Sequence, residues 1–167
     1  MRLLVIVAVV LAVAAGAVAG ERLGRVGPGH VDAVLDGDTI VVDGVHVRVI
    51  GVDTPEVAHR DSRAACGGDD AAAFVRRALL GQRVRLAIGV EPHDRYGRTL
   101  AGVRVASGPL AGADLADTLA DRGLARPLPI PPNDANAGDI ARRVRAARAA
   151  GLGLWSACGF ARAFPGK

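Results

Sequence analysis

Large side chains are scarce in this chain. Of its 167 residues three are Phe, one is Tyr, one is Trp and one is Met, although 50% are hydrophobic. A core must be assembled mainly from alanine, valine and leucine, which fill less space than aromatic rings, so additional stapling would help. Lysine is also nearly absent: Lys167 stands alone among 21 basic residues, and the rest are arginine. Arginine's planar fork pairs bidentately with phosphate, so the bias suits a phosphate binder, although GC-rich coding produces the same bias. The net charge of +4 is too small to argue for an anionic partner by itself. Two distant cysteines, Cys66 and Cys158, and four scattered histidines do not supply the clustered ligands of a zinc site. No internal repeat is present, and the length fits one domain.

One long apolar run exists, at the start. Met1-Arg2 precedes residues 3–19, which are uncharged and end Ala17-Val18-Ala19. A basic start, an apolar stretch and small residues at the last and third-last positions mark residues 1–19 as a signal peptide cleaved before Gly20. The alternative is an uncleaved membrane anchor, since the run reaches the lower limit of about 17 residues needed to span a bilayer. Either way the remainder is expected to be secreted or extracytoplasmic. Export places Cys66 and Cys158 where disulfides persist, which favours their pairing over two free thiols. A loop of about 90 residues closed in this way is worth up to about 4.6 kcal/mol in the chain-entropy model.

Hydrophobic alternation and turn signals set out the elements. Residues 20–29 are expected to form an exposed leader, followed by strands at 30–36, 39–43 and 45–52. Asp43-Gly44 is a strong two-residue hairpin signal between the last two. Residues 69–80 read as a helix, 83–90 and 99–105 as two more strands, and 110–122 and 137–150 as closing helices stopped by Gly123 and Gly151. The stretch Arg126-Pro-Leu-Pro-Ile-Pro-Pro132 reads as an extended connection. Strands first, one inserted helix, then closing helices make an α+β domain over residues 30–158, with 159–167 as a tail.

Three motifs carry polar residues suited to chemistry: Asp36-Gly37-Asp38-Thr39, Arg48-Val-Ile-Gly-Val-Asp53-Thr54-Pro55-Glu56, and Asp94-Arg95-Tyr96-Gly97-Arg98. Asp38 begins a strand, and Asp53 sits where another runs out, so two carboxylates can converge on one hard cation. Arg48 is flanked by Val, Ile and Gly, a costly place for a charge without a partner. Arg48 and Arg98 suit the developing charge of a phosphoryl transition state, and their high pKa argues against proton donation. Glu56 is three residues from Asp53, within reach of a water on the same cation. Singly, each has a plainer reading: Asp beside Gly and Pro commonly caps turns, and Arg98 can simply pair with Asp94.

Together, and in this order, the motifs resemble those of the staphylococcal-nuclease (thermonuclease) family from about His30 to Trp155. The resemblance implies a five-stranded OB-fold β-barrel with about three helices. It implies a calcium-dependent nuclease acting on DNA, with RNA an open alternative, by in-line attack of water that leaves 3′-phosphate ends. Asp38, Asp53 and the Thr54 carbonyl would bind Ca2+; Arg48 and Arg98 would hold the scissile phosphate, and Glu56 would handle the water. Arg95 and Tyr96 match positions that contact a second, terminal phosphate. A monomer is expected. The competing reading is a catalytically idle OB-fold domain that binds single-stranded nucleic acid or a protein partner. Two departures stand out: no aromatic lies in 126–132, where relatives stack a base, and the basic flank after Glu56 is reduced to His59, Arg60 and Arg63.

Overall fold

The computed structural model describes residues 25–58 and 63–165. The expected signal peptide or anchor, residues 20–24 of the leader, and His59 and Arg60 lie outside the described residues. Among the described residues, seven strands and five helices follow in the order β1 (Arg25–Val34), β2 (Thr39–Val42), β3 (Val45–Val49), β4 (Gly51–Asp53), α1 (Gly68–Leu79), β5 (Arg83–His93), β6 (Thr99–Val105), α2 (Leu115–Asp121), β7 (Arg126–Leu128), α3 (Ala137–Ala149), α4 (Leu154–Ala157) and α5 (Phe160–Ala163). Five strands close a barrel in the order β1-β2-β3-β6-β5, and β4 and β7 form a separate two-stranded sheet. The β3–β6 contact is parallel and the other contacts of the barrel are antiparallel. This is the expected α+β, OB-type barrel.

Alternation explains the barrel. Ile40 and Val42 on β2, Val47 and Val49 on β3, and Val84 and Leu86 on β5 point inward every second residue. Asp43 (φ 48) and Gly44 (φ 77) both take positive φ and join β2 to β3 in the tight turn their types favour. The shortage of large side chains is met by close approach. Helix α1 turns Ala71, Ala72, Val75, Ala78 and Leu79 inward, at helical spacing, and packs on β1. Helices α2 and α3 pack on each other and cover β4, burying Leu115, Leu119, Ile140 and Val144 in the same core.

Several expectations need correction. Residues 25–29 are not leader: they extend β1 and pair with β5. The strand expected at 45–52 is two strands, because Gly51 (φ 89) turns the chain after Ile50 out of the barrel. Its continuation β4 then pairs with β7, so residues 126–128 of the proline-rich connection are strand. Helix α2 begins only at Leu115, because the Asp114 carboxylate accepts the Ala116 and Asp117 N–H groups and caps it there. Within the expected tail, Phe160–Ala163 form α5, and Ala163 and Phe164 pack with Leu154, Cys158 and Cys66 in a second small apolar cluster. Cys66 and Cys158 are joined in a disulfide with Cα atoms 5.7 Å apart, which ties the approach to α1 to the end of α4.

Candidate active site

The three motifs meet on one side of the barrel. Thr39 and Arg48 are register partners across β2 and β3, and the Val49 N–H donates to the Asp38 carbonyl at 2.9 Å. Strand pairing therefore sets the first motif beside the start of the second. Gly37 is required by this contact: a Cβ there would lie 2.7 Å from Thr54 Cγ2 and 2.9 Å from its hydroxyl. The Thr54 N–H and hydroxyl in turn donate to Asp38 Oδ2 at 2.7 and 3.1 Å. The main chain at Glu56 rests against the start of α1, where a Cβ on Gly68 would come within 2.2 Å of the Glu56 carbonyl oxygen.

Arg48 sits between the carboxylates. Its Nε lies 3.2 Å from Asp38 Oδ1 and its NH2 lies 3.4 Å from Asp53 Oδ1. Its NH1 donates to the Val49 and Val52 carbonyls at 2.7 and 2.8 Å. The buried arginine thus has its partners, and the side chain that sequence sets toward a phosphate here grips protein. Asp53 is held on its other oxygen by Arg126, whose Nε donates to Oδ2 at 2.9 Å. Asp38 and Asp53 are both buried. Burial pushes the Asp38 carboxyl up to about 7, against the opposing pull of the Arg48 guanidinium. The neighbouring Asp36 adds to the rise; its carboxylate accepts the Asp38 N–H at 2.9 Å.

The third motif is a tight turn. The Gly97 N–H donates to the Asp94 carbonyl with Gly97 at φ 79. Asp94 Oδ1 accepts the Tyr96 and Arg98 N–H groups at 2.9 and 3.0 Å, and Oδ2 accepts Arg98 Nε at 2.7 Å. Partial burial raises the Asp94 carboxyl, but the Arg98 and Tyr96 N–H groups and the Arg98 guanidinium outweigh it and hold it below its ordinary value. The Asp94–Arg98 pair therefore exists, yet it aims Arg98 rather than withdrawing it. Arg98 NH1 reaches the Thr39 hydroxyl at 3.4 Å, which links the third motif to the first. The Arg95 and Arg98 guanidinium groups lie over the exposed Tyr96 ring, 4.7 and 5.5 Å from its centroid.

A cleft of about 550 Å³ opens over these groups. Asp38, Arg48, Asp53, Glu56, Arg95, Tyr96 and Arg98 all line it, so every expected site residue except Thr54 borders the same space. Thr54 lies beneath, behind Asp38. On the wall where an aromatic is missing, Leu128 and Ile130 face the cleft, and Ile130 is 53% exposed. The sequence motifs assign no role to Asp36 or Arg126. Arg126 precedes a proline, which favours an extended backbone, but nothing local says that its strand partner is Asp53. No group of three or more His, Cys, Asp or Glu side chains forms a ready metal cage among the described residues.

An OB barrel is a platform that can take an oligonucleotide, and here acids and arginines gather around one cleft of it. The family model "Staphylococcal nuclease homologue" matches residues 46–157, more than half the chain. The thermonuclease of Staphylococcus intermedius is 39% identical over 130 residues, covering 75% of this chain and 74% of that protein. The thermonuclease of Staphylococcus hyicus is 37% identical over 127 residues, covering 74% and 72%. Endonuclease YhcR of Bacillus subtilis is 33% identical over 98 residues, covering 52% of this chain and 8% of that protein. The chain belongs to the staphylococcal nuclease homologue family, and it is a nuclease.

Proposed function

We propose that this protein is an exported, calcium-dependent nuclease that hydrolyses phosphodiester bonds of DNA, with RNA as the alternative substrate to be tested, acts as a monomer, and leaves 3′-phosphate ends. One observation carries the reading: Asp38 and Asp53 converge from two strand ends on Arg48, in a cleft that Glu56 and Arg98 also line. The donor set fits a hard cation. Two buried carboxylates, Asp38 and Asp53, face the same cleft with oxygen donors of the kind a hard cation takes. Asp38, Asp53 and the Thr54 carbonyl would hold the ion. Bound there, calcium would supply a Lewis acid to the phosphoryl oxygens and make a neighbouring water more acidic.

The chain's own residues do the rest. Glu56, exposed on the cleft, orients the attacking water and takes its proton. Arg98 is anchored through Nε on Asp94 and presents its NH1 edge toward Thr39 and the first motif, where charge builds up on the phosphoryl oxygens. Arg48 is pinned through NH1 on two carbonyls and keeps Nε and NH2 on the side where the carboxylates meet. Arg95 and Tyr96, on the exposed turn, suit a second phosphate along the strand. Export is supported by residues 1–19 and by the disulfide. The test is cleavage of DNA and RNA oligonucleotides by purified residues 20–167, in calcium and in excess chelator, with the product ends identified by mass spectrometry. Cleavage only in calcium, with 3′-phosphate ends, is expected; undiminished cleavage in chelator contradicts the reading.

A further inference from the structure

Resting on that reading, we infer that Arg126 is a positioning residue for the Asp53 carboxylate, and that the disulfide-closed C-terminal segment holds Arg126 in place through Phe164. Asp53 and Arg126 are direct register partners across the β4–β7 ladder, so their side chains leave the same face of the small sheet. Arg126 Nε meets Asp53 Oδ2 at 2.9 Å, whereas the contact of Oδ1 with Arg48 NH2 is long, at 3.4 Å. Arg126 is therefore the firmer hold. It fixes one oxygen and leaves the other turned toward Asp38 and Arg48. Without it the carboxylate can rotate and close on Arg48, which withdraws a ligand from the cation.

Arg126 is itself clamped. Its guanidinium lies over the Phe164 ring, 4.8 Å from the centroid. Phe164 is 3% exposed and packs with Leu154, Cys158 and Ala163. The segment that carries it is fastened at three points: the Cys66–Cys158 bridge, the Cys66 N–H to the Arg162 carbonyl at 3.1 Å, and Arg162 Nε to the Cys158 carbonyl at 2.8 Å. The chain beyond α4 is thus linked to Asp53 through the Phe164 ring and the Arg126 guanidinium. A planar cation suits both contacts, since it can donate in its plane and stack on its face.

The test measures calcium binding by titration calorimetry and steady-state kinetics on a single-stranded DNA oligonucleotide, for wild type, Arg126→Ala, Arg126→Lys and Phe164→Leu. Groups that orient a metal ligand typically govern about 10–100-fold in affinity or activity. Arg126→Ala should weaken calcium binding and lower kcat within about that range, while KM for the oligonucleotide changes less than about threefold. Arg126→Lys should recover part of both, because it keeps a donor toward Asp53 but not the stacked plane. Phe164→Leu should move in the same direction by less. Folded Arg126→Ala with wild-type calcium affinity and kcat overturns the inference, as does tighter calcium binding, which would make Arg126 merely a repelling charge. If Arg126→Ala does not fold, Phe164→Leu decides: weakened calcium binding supports the clamp, and unchanged binding overturns it. If wild type binds no calcium, the functional reading fails and takes this inference with it. If wild type binds calcium and cleaves while the variants match it, the inference alone fails.

Discussion

Opening the Cys66–Cys158 bridge should destabilise the protein by an amount that its sequence separation sets. The two cysteines are 92 residues apart. Releasing a loop of that length restores about 15–16 cal/mol/K of entropy to the unfolded chain, or about 4.6 kcal/mol at 25 °C. This is an upper figure, because bridges typically deliver about 2–4 kcal/mol once strain and residual structure are included. For a domain of this size each kcal/mol moves Tm by about 2–4 °C, so the double variant Cys66→Ser/Cys158→Ser should melt roughly 4–16 °C lower. Among the described residues the largest fully buried side chains are isoleucines, leucines and valines, with no aromatic among them. Thermal and urea unfolding followed by circular dichroism, each on wild type and the double variant, give the comparison. Two free thiols in the wild-type protein, or a double variant melting within about 2 °C of it, would refute the reasoning.

Gly37→Ala should disturb the site from beneath, since the new methyl would crowd Thr54 Cγ2 at 2.7 Å and Ala71 Cβ at 3.0 Å. Overpacking of this kind costs about 1–3 kcal/mol, and the displaced Thr54 should weaken calcium binding; unchanged denaturant stability and calorimetry would show that Thr54 yields freely. Calcium affinity should fall as pH drops through about 7, because the Asp38 carboxyl is raised to about 7 and a proton then competes for it. The stability sign follows from the same shift: in metal-free protein the contribution of Asp38 is fully present below pH 3.8 and is lost as pH rises through about 7. Calcium should therefore raise Tm more at about pH 8 than at about pH 5.5, and a gain independent of pH would contradict this assignment of Asp38.

Local chemistry was legible, and long-range pairing was not. The hairpin at Asp43-Gly44, the helix ending before Gly81 and the alternation of β2, β3 and β5 follow from turn residues and period-two patterning within a few positions. The three motifs could be placed together because each lies at a strand end or turn, and the structure puts Asp38, Arg48, Asp53, Glu56 and Arg98 on one cleft. The break at Gly51 was hidden because the apolar run continues through it; only the pairing of β4 with β7 reveals that the chain has left the barrel. Arg126 was hidden for the same reason, since its role depends on Asp53, 73 residues earlier. The start of α2 was misplaced because residues 110–114 look helical in composition, whereas the Asp114 cap fixes the first turn. The packing of Phe164 depends on the disulfide and the cluster around it, and a short segment holding a single buried ring gives little periodic signal.

The most direct test of the account is kcat for Arg98→Ala and Glu56→Ala beside Arg145→Ala, measured on a defined single-stranded DNA oligonucleotide with folding checked for each. Arg98 and Glu56 line the cleft, whereas Arg145 is exposed on α3 and is not among the cleft's lining residues. Losing one electrostatic contact made in the transition state costs about 10²–10³ in kcat. Losing a general base costs about 10²–10⁴. Both site variants should show falls of that size with little change in substrate binding, while Arg145→Ala should only weaken binding slightly and reduce its salt dependence. Near-wild-type kcat in both site variants, with the loss appearing in Arg145→Ala instead, would contradict the placement of the active site in this cleft.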